Sequence, residues 1–149
     1  MSYKERAQEI EQFELITEAR GAYVIADDID PYANHLHHTG PLKIFERERV
    51  RIFADHGMPV DEMAQSQGVF GFVRELVAKY SGQVLKGDNV EVVSRVFQTR
   101  PTILSFQQTM TREGQIMVEA VVDAALANRS GKPVRIPQEV VDNLKSNVD

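Results

Sequence analysis

The chain has 149 residues, 42% of them hydrophobic, which is enough apolar matter for the core of one domain and too little chain for two. It contains no cysteine, so disulfides, zinc ribbons and a thiol nucleophile are excluded by composition. Seventeen Lys and Arg against twenty-two Asp and Glu give a net charge of −5, which argues against a general nucleic-acid binder, because neutralising phosphates needs a basic excess.

The opening MSYKERAQEI is charged from its third residue, and no apolar run approaches the roughly 20 residues of a membrane span. A soluble, cytoplasmic protein with no membrane partner is expected. Ala7, Ile10, Phe13 and Ile16 recur at three-residue intervals and predict an amphipathic helix over residues 3 to 16, within an N-terminal helical extension of residues 1–19. From residue 20 to 149 the pattern is that of a single domain. GAYVIA, starting at Gly21, predicts a short strand that stops at the acidic string before Pro31. The turn-rich PYANHLHHTGP follows, and then residues 41 to 56 show helical spacing, with Pro41 in the first turn and Gly57 after the last.

Beyond a linker, GMPVDEMAQSQ, four β-rich runs follow: GVFGFVRELVAKY, NVEVVSRVFQT, TILSFQQTMTR and QIMVEAVVDAALA. Turn signals at Lys86-Gly87-Asp88-Asn89, Arg100-Pro101 and Glu113-Gly114 predict close antiparallel hairpins, and a short helix is expected over Gln138 to Lys145. One four-turn helix and a meander of long strands make an α+β pattern, with the helix covering one face of an open antiparallel sheet. A helical wheel puts Leu42, Phe45, Ile52 and Phe53 on the buried side and Arg47, Glu48, Arg51 and Asp55 on the other. Glu46, Arg49 and His56 fall inside the apolar arc, where polar groups must be paired, wet or functional.

The densest polar cluster is D28-I-D30-P-Y-A-N34-H35-L-H37-H38, with three of the four histidines and two carboxylates one residue apart. Its residue types suit a zinc, iron or manganese ion, but neighbouring loop residues rarely converge on one ion and no spaced helical ligand pair is present, so no metal is expected. The alternative is acid–base chemistry on a polarised carbonyl, with a carboxylate at a strand end and a histidine near a helix start.

The stretch from Asp28 to Arg49 resembles the signature of the 4-hydroxybenzoyl-CoA thioesterase family of hotdog-fold enzymes, in which a DxD precedes a glycine-containing turn, a polar stretch and an aromatic-Glu-x-x-Arg helix. Here D28-I-D30, H35-L-H37-H38 and F45-E46-R-E-R49 occupy those places. GFVRELVAKY, L85-K-G87-D88 and the long final hairpin up to PVRIP are similar to later parts of the family, so the resemblance spans about residues 20 to 140. Two departures stand out. The loop after Asp30 has one residue more than usual, and Ala33 or Asn34 stands where the turn glycine is customary. The histidine of one branch of the family falls on His38, eight residues before Glu46.

The resemblance implies a hotdog fold, an antiparallel sheet wrapped around one central helix, and hydrolysis of an acyl-CoA or of an acyl thioester on an acyl carrier protein, without cofactor. It implies Asp30 as nucleophile or general base, with backbone N–H groups at the helix start polarising the thioester carbonyl and His38 tuning Asp30 or orienting water. Asp28 is expected to be a turn acceptor. Glu46 and Arg49 are expected to pair at (i, i+3) on the buried side of the helix, with Glu46 a further catalytic candidate. His35, His37, Arg49, Lys86 and Arg100 are candidate substrate contacts; Arg95, Arg129 and Lys132 are further cations available to coenzyme A phosphates. Phe70, Phe72, Phe97 and Phe106 either line an acyl tunnel or fill the core. A homodimer or homotetramer is expected, because a sheet with one helix leaves its far face and its edges uncovered. Two alternatives are a hydratase or dehydratase on the same fold, which would release no thiol, and a non-catalytic acyl-CoA-binding module.

Overall fold

Period-2 burial and turn chemistry build the sheet. The structure, a computed structural model, describes residues 1–146. Five long strands, β1 (Leu15–Val24), β2 (Phe70–Tyr80), β3 (Asn89–Arg100), β4 (Ile103–Arg112) and β5 (Gln115–Ala127), lie in the order β1-β3-β4-β5-β2. Every pairing is antiparallel, and the two-residue β6 (Pro133–Val134) adds to the end of β5. Glu113 and Gly114 both take positive φ, 52° and 77°, so the β4–β5 hairpin closes on the two-residue turn whose twist suits antiparallel strands.

Three further helices accompany α1 (Tyr3–Ile10): the central α2 (Gly40–Asp55), the short α3 (Val60–Glu62), which runs on into a π-helical turn, Met63–Gln67, and α4 (Gln138–Lys145). Ile44, Phe45 and Ile52 of α2 pack on Val92, Val96, Leu104, Phe106 and Val122 of the sheet, and α4 adds Val140, Val141 and Leu144 to the same core. The expected sheet wrapped on one helix is therefore the observed architecture, and α4 spans the residues the sequence predicts.

Four expectations change. The N-terminal helix ends at Ile10, not near residue 16; Phe13 is exposed, and Ile16 is a buried residue of β1, which begins at Leu15 rather than Gly21. Three-residue spacing over so few apolar residues fits a helix followed by a strand equally well. Secondly, the Lys86–Asn89 turn joins no β2–β3 hairpin. β2 pairs with β5 at one edge and β3 with β1 at the other, so this connection crosses the sheet, and its backbone docks on the end of β1 through Ile25 N to Asp88 O, 2.9 Å, and Gly87 N to Ile25 O, 2.7 Å. Thirdly, residues read as a linker form α3 and its π-helical turn, with Met63 buried.

The fourth change concerns the far face of the sheet. Helix α1, capped by Ser2 Oγ on Glu5 N at 3.2 Å, lays Tyr3, Ala7 and Ile10 over Phe97 and Val121 there. Arg6 reaches the mostly buried Asp123 of β5 at 2.7 Å, and Ser105 donates to the same carboxylate at 2.6 Å. That face is thus partly covered by the chain itself, while β1 and β2 are the two edges of the sheet, and on β2 Phe70, Phe72, Val73 and Leu76 are all 39–48% exposed. Among the described residues no helix is long and apolar enough to cross a membrane.

Candidate active site

The acidic loop folds back on itself before α2 begins. Asp30 N donates to His35 O at 2.8 Å and Asn34 N to Asp30 O at 2.9 Å, while Ile29 and Leu36 form an isolated antiparallel bridge. Asn34 has φ 59°, so it supplies the left-handed residue in place of the customary glycine; asparagine is the side chain that tolerates this best. Asp28 also takes positive φ, accepts His37 N on its carbonyl at 2.8 Å, and pairs its carboxylate with Lys43 Nζ at 2.9 Å. That is the turn-acceptor role expected of it.

Asp30 keeps its carboxylate about one-fifth exposed. Oδ1 accepts the Tyr32 N–H at 2.8 Å, and Oδ2 lies 3.4 Å from Nε2 of His35. The histidine at Asp30 is therefore His35 and not His38. The side chain of His38 is exposed, and its carbonyl accepts a hydrogen bond from Tyr80 Oη of β2. His37 is exposed as well, and Nδ1 of His35 is buried with no partner among the described residues. The histidines diverge; among the described residues no three His, Asp or Glu side chains stand close enough to share a metal ion.

At the start of α2 the donors can be followed one by one. Gly40 N gives to His37 O at 2.8 Å, Pro41 has no N–H, and Lys43 N gives to Thr39 O at 3.2 Å. Thr39 makes no side-chain cap. Leu42 N–H is left as the first-turn donor without a partner among the described residues, at the positive end of the helix dipole.

Further along α2 lies a cavity of about 360 Å³. Glu46, Arg49, Val50 and Phe53 form one wall, with Gly71, Phe72 and Val73 of β2, Leu104 and Phe106 of β4, Ala124 to Leu126 of β5, and Ile136 around it. Of the four phenylalanines left open between tunnel and core, Phe72 and Phe106 line this cavity. Phe97 lies on the far face under α1, with Arg95 5.5 Å over its ring, and Phe70 is exposed at the β2 edge. Glu46 and Arg49 do not form the expected ion pair: Arg49 Nη1 donates to Gln108 Oε1 at 2.9 Å, and Glu46 is exposed at the cavity wall.

Residues 24–144 match the thioesterase-like superfamily, most of the chain. The chain belongs to that superfamily. Thioester hydrolysis is the reaction class this membership assigns to it, and the hotdog architecture agrees. No curated protein matches the sequence significantly. Among solved structures, a probable thioesterase from Bartonella henselae superposes with a TM-score of 0.75 at 22% identity, over 81% of this chain and 100% of that one. A 1,4-dihydroxy-2-naphthoyl-CoA thioesterase from Synechocystis gives 0.78 at 8% identity, over 87% and 96%. A Staphylococcus aureus protein described in complex with CoA gives 0.75 at 18% identity, over 89% and 82%. At such identities the likeness is one of fold.

For a thioesterase the remaining candidates divide by position. Lys86 is exposed and its N–H donates to Asn34 O at 3.0 Å, which puts it beside the Asp30 loop. Arg100 lies at the other end of the twelve-residue β3, roughly 40 Å away at about 3.3 Å per residue, in a polar depression with Arg6 and Asp123. One chain cannot bring both to one site.

Two groups that hold the loop and the central helix in place escape the sequence reading. Tyr80, which pins the loop at His38, carries no motif. Glu48, placed by the wheel on the polar side, is fully buried: Tyr23 Oη donates to it at 2.6 Å and Arg51 binds it through two nitrogens at 2.7 and 2.9 Å. Burial by itself would raise its pKa, but the Arg51 guanidinium and the Tyr23 hydroxyl outweigh burial and hold it below the usual range. Burial, with Glu48 beside it, pushes Tyr23 up to about 12. Gly21 leaves the room for this clamp, since a Cβ there would stand 2.1 Å from Glu48 Oε1. A Gly beside a tyrosine in β1, opposite a Glu-x-x-Arg in α2, is the sequence signal that could have found it.

Proposed function

We propose that the chain hydrolyses an acyl-CoA thioester as a homodimer, in the manner of the 4-hydroxybenzoyl-CoA thioesterase family that its Asp28–Arg49 stretch resembles. The observation that carries this reading is Asp30, a partly exposed carboxylate oriented by His35 and the Tyr32 N–H, on the loop that leads into a helix start with a free Leu42 N–H. Asp30 takes a proton from water as the water oxygen bonds to the thioester carbonyl carbon. Leu42 N–H stabilises the oxyanion. Collapse breaks the C–S bond, the thiolate takes up the proton, and carboxylic acid and free coenzyme A leave. Coenzyme A is favoured over a carrier protein because a similar fold is described with CoA bound.

The partner copy supplies the rest of the site. The open, apolar edge of β2 is a strand that needs pairing. Antiparallel pairing of β2 with its own copy brings the Tyr80 end of one chain alongside the Phe70 end of the other. The Asp30 loop, tied to Tyr80, then faces the other chain's cavity, and Lys86 of one chain comes to the sheet end that carries Arg100 of the other. Light scattering is expected to give a dimer or a dimer of dimers, and Leu76→Arg, a charge at the centre of that edge, is expected to give a monomer that releases no thiol. A wild-type monomer, or a fully active Leu76→Arg monomer, defeats the shared site.

The test of the reaction is thiol release from short, long and aromatic acyl-CoAs. Turnover is expected, and it is expected to survive dialysis against a strong chelator, because the mechanism moves protons between a carboxylate and water. Loss of turnover with removal of one stoichiometric metal would restore the metal reading of the histidine cluster. A second reading has one observation in its favour: Oδ1 of Asp30 is engaged by a turn N–H, as in a structural aspartate. Tight acyl-CoA binding with no thiol released would establish that non-catalytic module.

A further inference from the structure

Two charged side chains, Glu46 and Arg49, stand on the cavity wall, and Arg49 is the cation of the two. Arg49 is half-buried at a cavity that Val50, Phe53, Leu104 and Phe106 also line, and burial lowers its pKa despite the attraction of Glu46. Nη1 donates to Gln108 Oε1, and the Gln108 amide is itself held by Phe45 O at 3.0 Å and Ser94 Oγ at 2.9 Å, so the guanidinium has a fixed place. Among the described residues no carboxylate lies within 4.0 Å of it. Arg51, two residues on, shows the contrast, with Glu48 and Asp55 both bonded to it.

A guanidinium has five N–H donors in a planar fork, and a half-buried cation that makes no direct ion pair is costly. The chain keeps one there and leaves most of its donors unused. On the reading of this chain as an acyl-CoA thioesterase, we infer that Arg49 receives the far end of the acyl group and that this end is a carboxylate, so that the substrate class is the half-thioester of a short dicarboxylic acid. Two parallel N–H···O bonds match a carboxylate to the fork, and a largely apolar lining strengthens the pair. The cavity of about 360 Å³ lies at the lower end of the range for small-molecule sites, about 300–1,000 Å³, which suits a short chain. A methyl-terminated chain would strip the same guanidinium of water and give it no partner, which is how a polar site rejects an apolar analogue.

The test uses two non-hydrolysable thioethers, S-(4-carboxybutyl)-coenzyme A and S-pentyl-coenzyme A, titrated calorimetrically into the full chain. The carboxylated ligand is expected to bind about tenfold to a hundredfold more tightly. Arg49→Met is expected to erase or invert that ratio, and Arg49→Lys, which keeps the charge without the fork, to retain part of it. Equal or weaker binding of the carboxylated ligand, no binding of either, or a preference unchanged in Arg49→Met overturns the inference; should Arg49→Met fail to fold, the wild-type ratio together with Arg49→Lys decides. Thiol release from glutaryl-CoA and pentanoyl-CoA separates this inference from the reading beneath it. Preference in binding with no thiol released leaves the carboxylate pocket standing and removes the hydrolase, whereas equal hydrolysis and equal binding leave the hydrolase and remove the pocket.

Discussion

Asp30→Asn is expected to lower kcat for thiol release by about 10²- to 10⁴-fold, the worth of a general base, with dimer and melting temperature unchanged. Asparagine is nearly isosteric and can still accept the Tyr32 N–H through Oδ1, so the loop keeps its turn. What it loses is the ability to take a proton from water. His35→Ala is expected to cost roughly tenfold, because His35 Nε2 at 3.4 Å orients the carboxylate without being the base. His38→Ala is expected to cost less than His35→Ala, since only its backbone carbonyl is engaged, by Tyr80. Asp28→Asn should change stability by under about 1 kcal/mol, because its pair with Lys43 is partly solvated and asparagine accepts the positive φ. Near-normal turnover in Asp30→Asn, measured with one good substrate, would remove this carboxylate from the mechanism. A larger loss at His38 than at His35 would show that the loop rearranges when substrate binds.

Glu48→Ala is expected to destabilise the fold by about 2–4 kcal/mol, because it leaves Tyr23 Oη without its acceptor and Arg51 with only Asp55 and the Arg20 carbonyl, the partly exposed guanidinium recovering some hydration. That corresponds to roughly 5–15 °C in melting temperature. Gly21→Ala is expected to do comparable damage from the opposite side, since its Cβ would displace the same carboxylate. The pH dependence carries a sign. Glu48 has its pKa lowered from 4.5 in the fold, so its contribution is complete above that unfolded value and is lost as pH falls through the lower folded one. Tyr23 is raised from 10.0 to about 12, so its contribution is complete below pH 10 and is lost as pH rises toward 12. Melting temperatures of wild type and Glu48→Gln followed from pH 7 downward should therefore converge in acid; a constant difference would mean that the clamp acts by packing alone.

The long strands β3, β4 and β5, the β4–β5 turn, and the spans of α2 and α4 were legible because each is a local statement. Alternating apolar residues make a half-buried strand wherever it finds a sheet, and Glu113-Gly114 accepts positive φ wherever it sits. The candidate site was half legible. The turn at Asp28 and the helix start follow from residue types in order along a few residues, whereas the choice of Asp30 rests on the family resemblance. The choice between His35 and His38 follows from neither, because it depends on how the loop folds back on itself, and the Asp30 N to His35 O hydrogen bond accompanies the turn of His35 toward the carboxylate.

The amino-acid sequence by itself determined an α+β domain with an acidic, histidine-rich loop ahead of a central helix, and with it the thioesterase-like superfamily. Tertiary structure alone decided which charges are buried and which edges are open. The wheel put Glu48 outside and Glu46 inside, yet Glu48 is buried because Gly21 and Tyr23 of β1 close over that side of α2, while Glu46 and Arg49 face a cavity walled by β2 and β5. The Lys86–Asn89 turn signal is equally blind to partners: it fits a hairpin, but β3 pairs with β1, and β2 is carried across the sheet to β5. A helix face or a strand edge has no burial of its own. It acquires one from elements that are distant in sequence, and the cost of stranding a charge or a backbone donor is settled only when those elements meet.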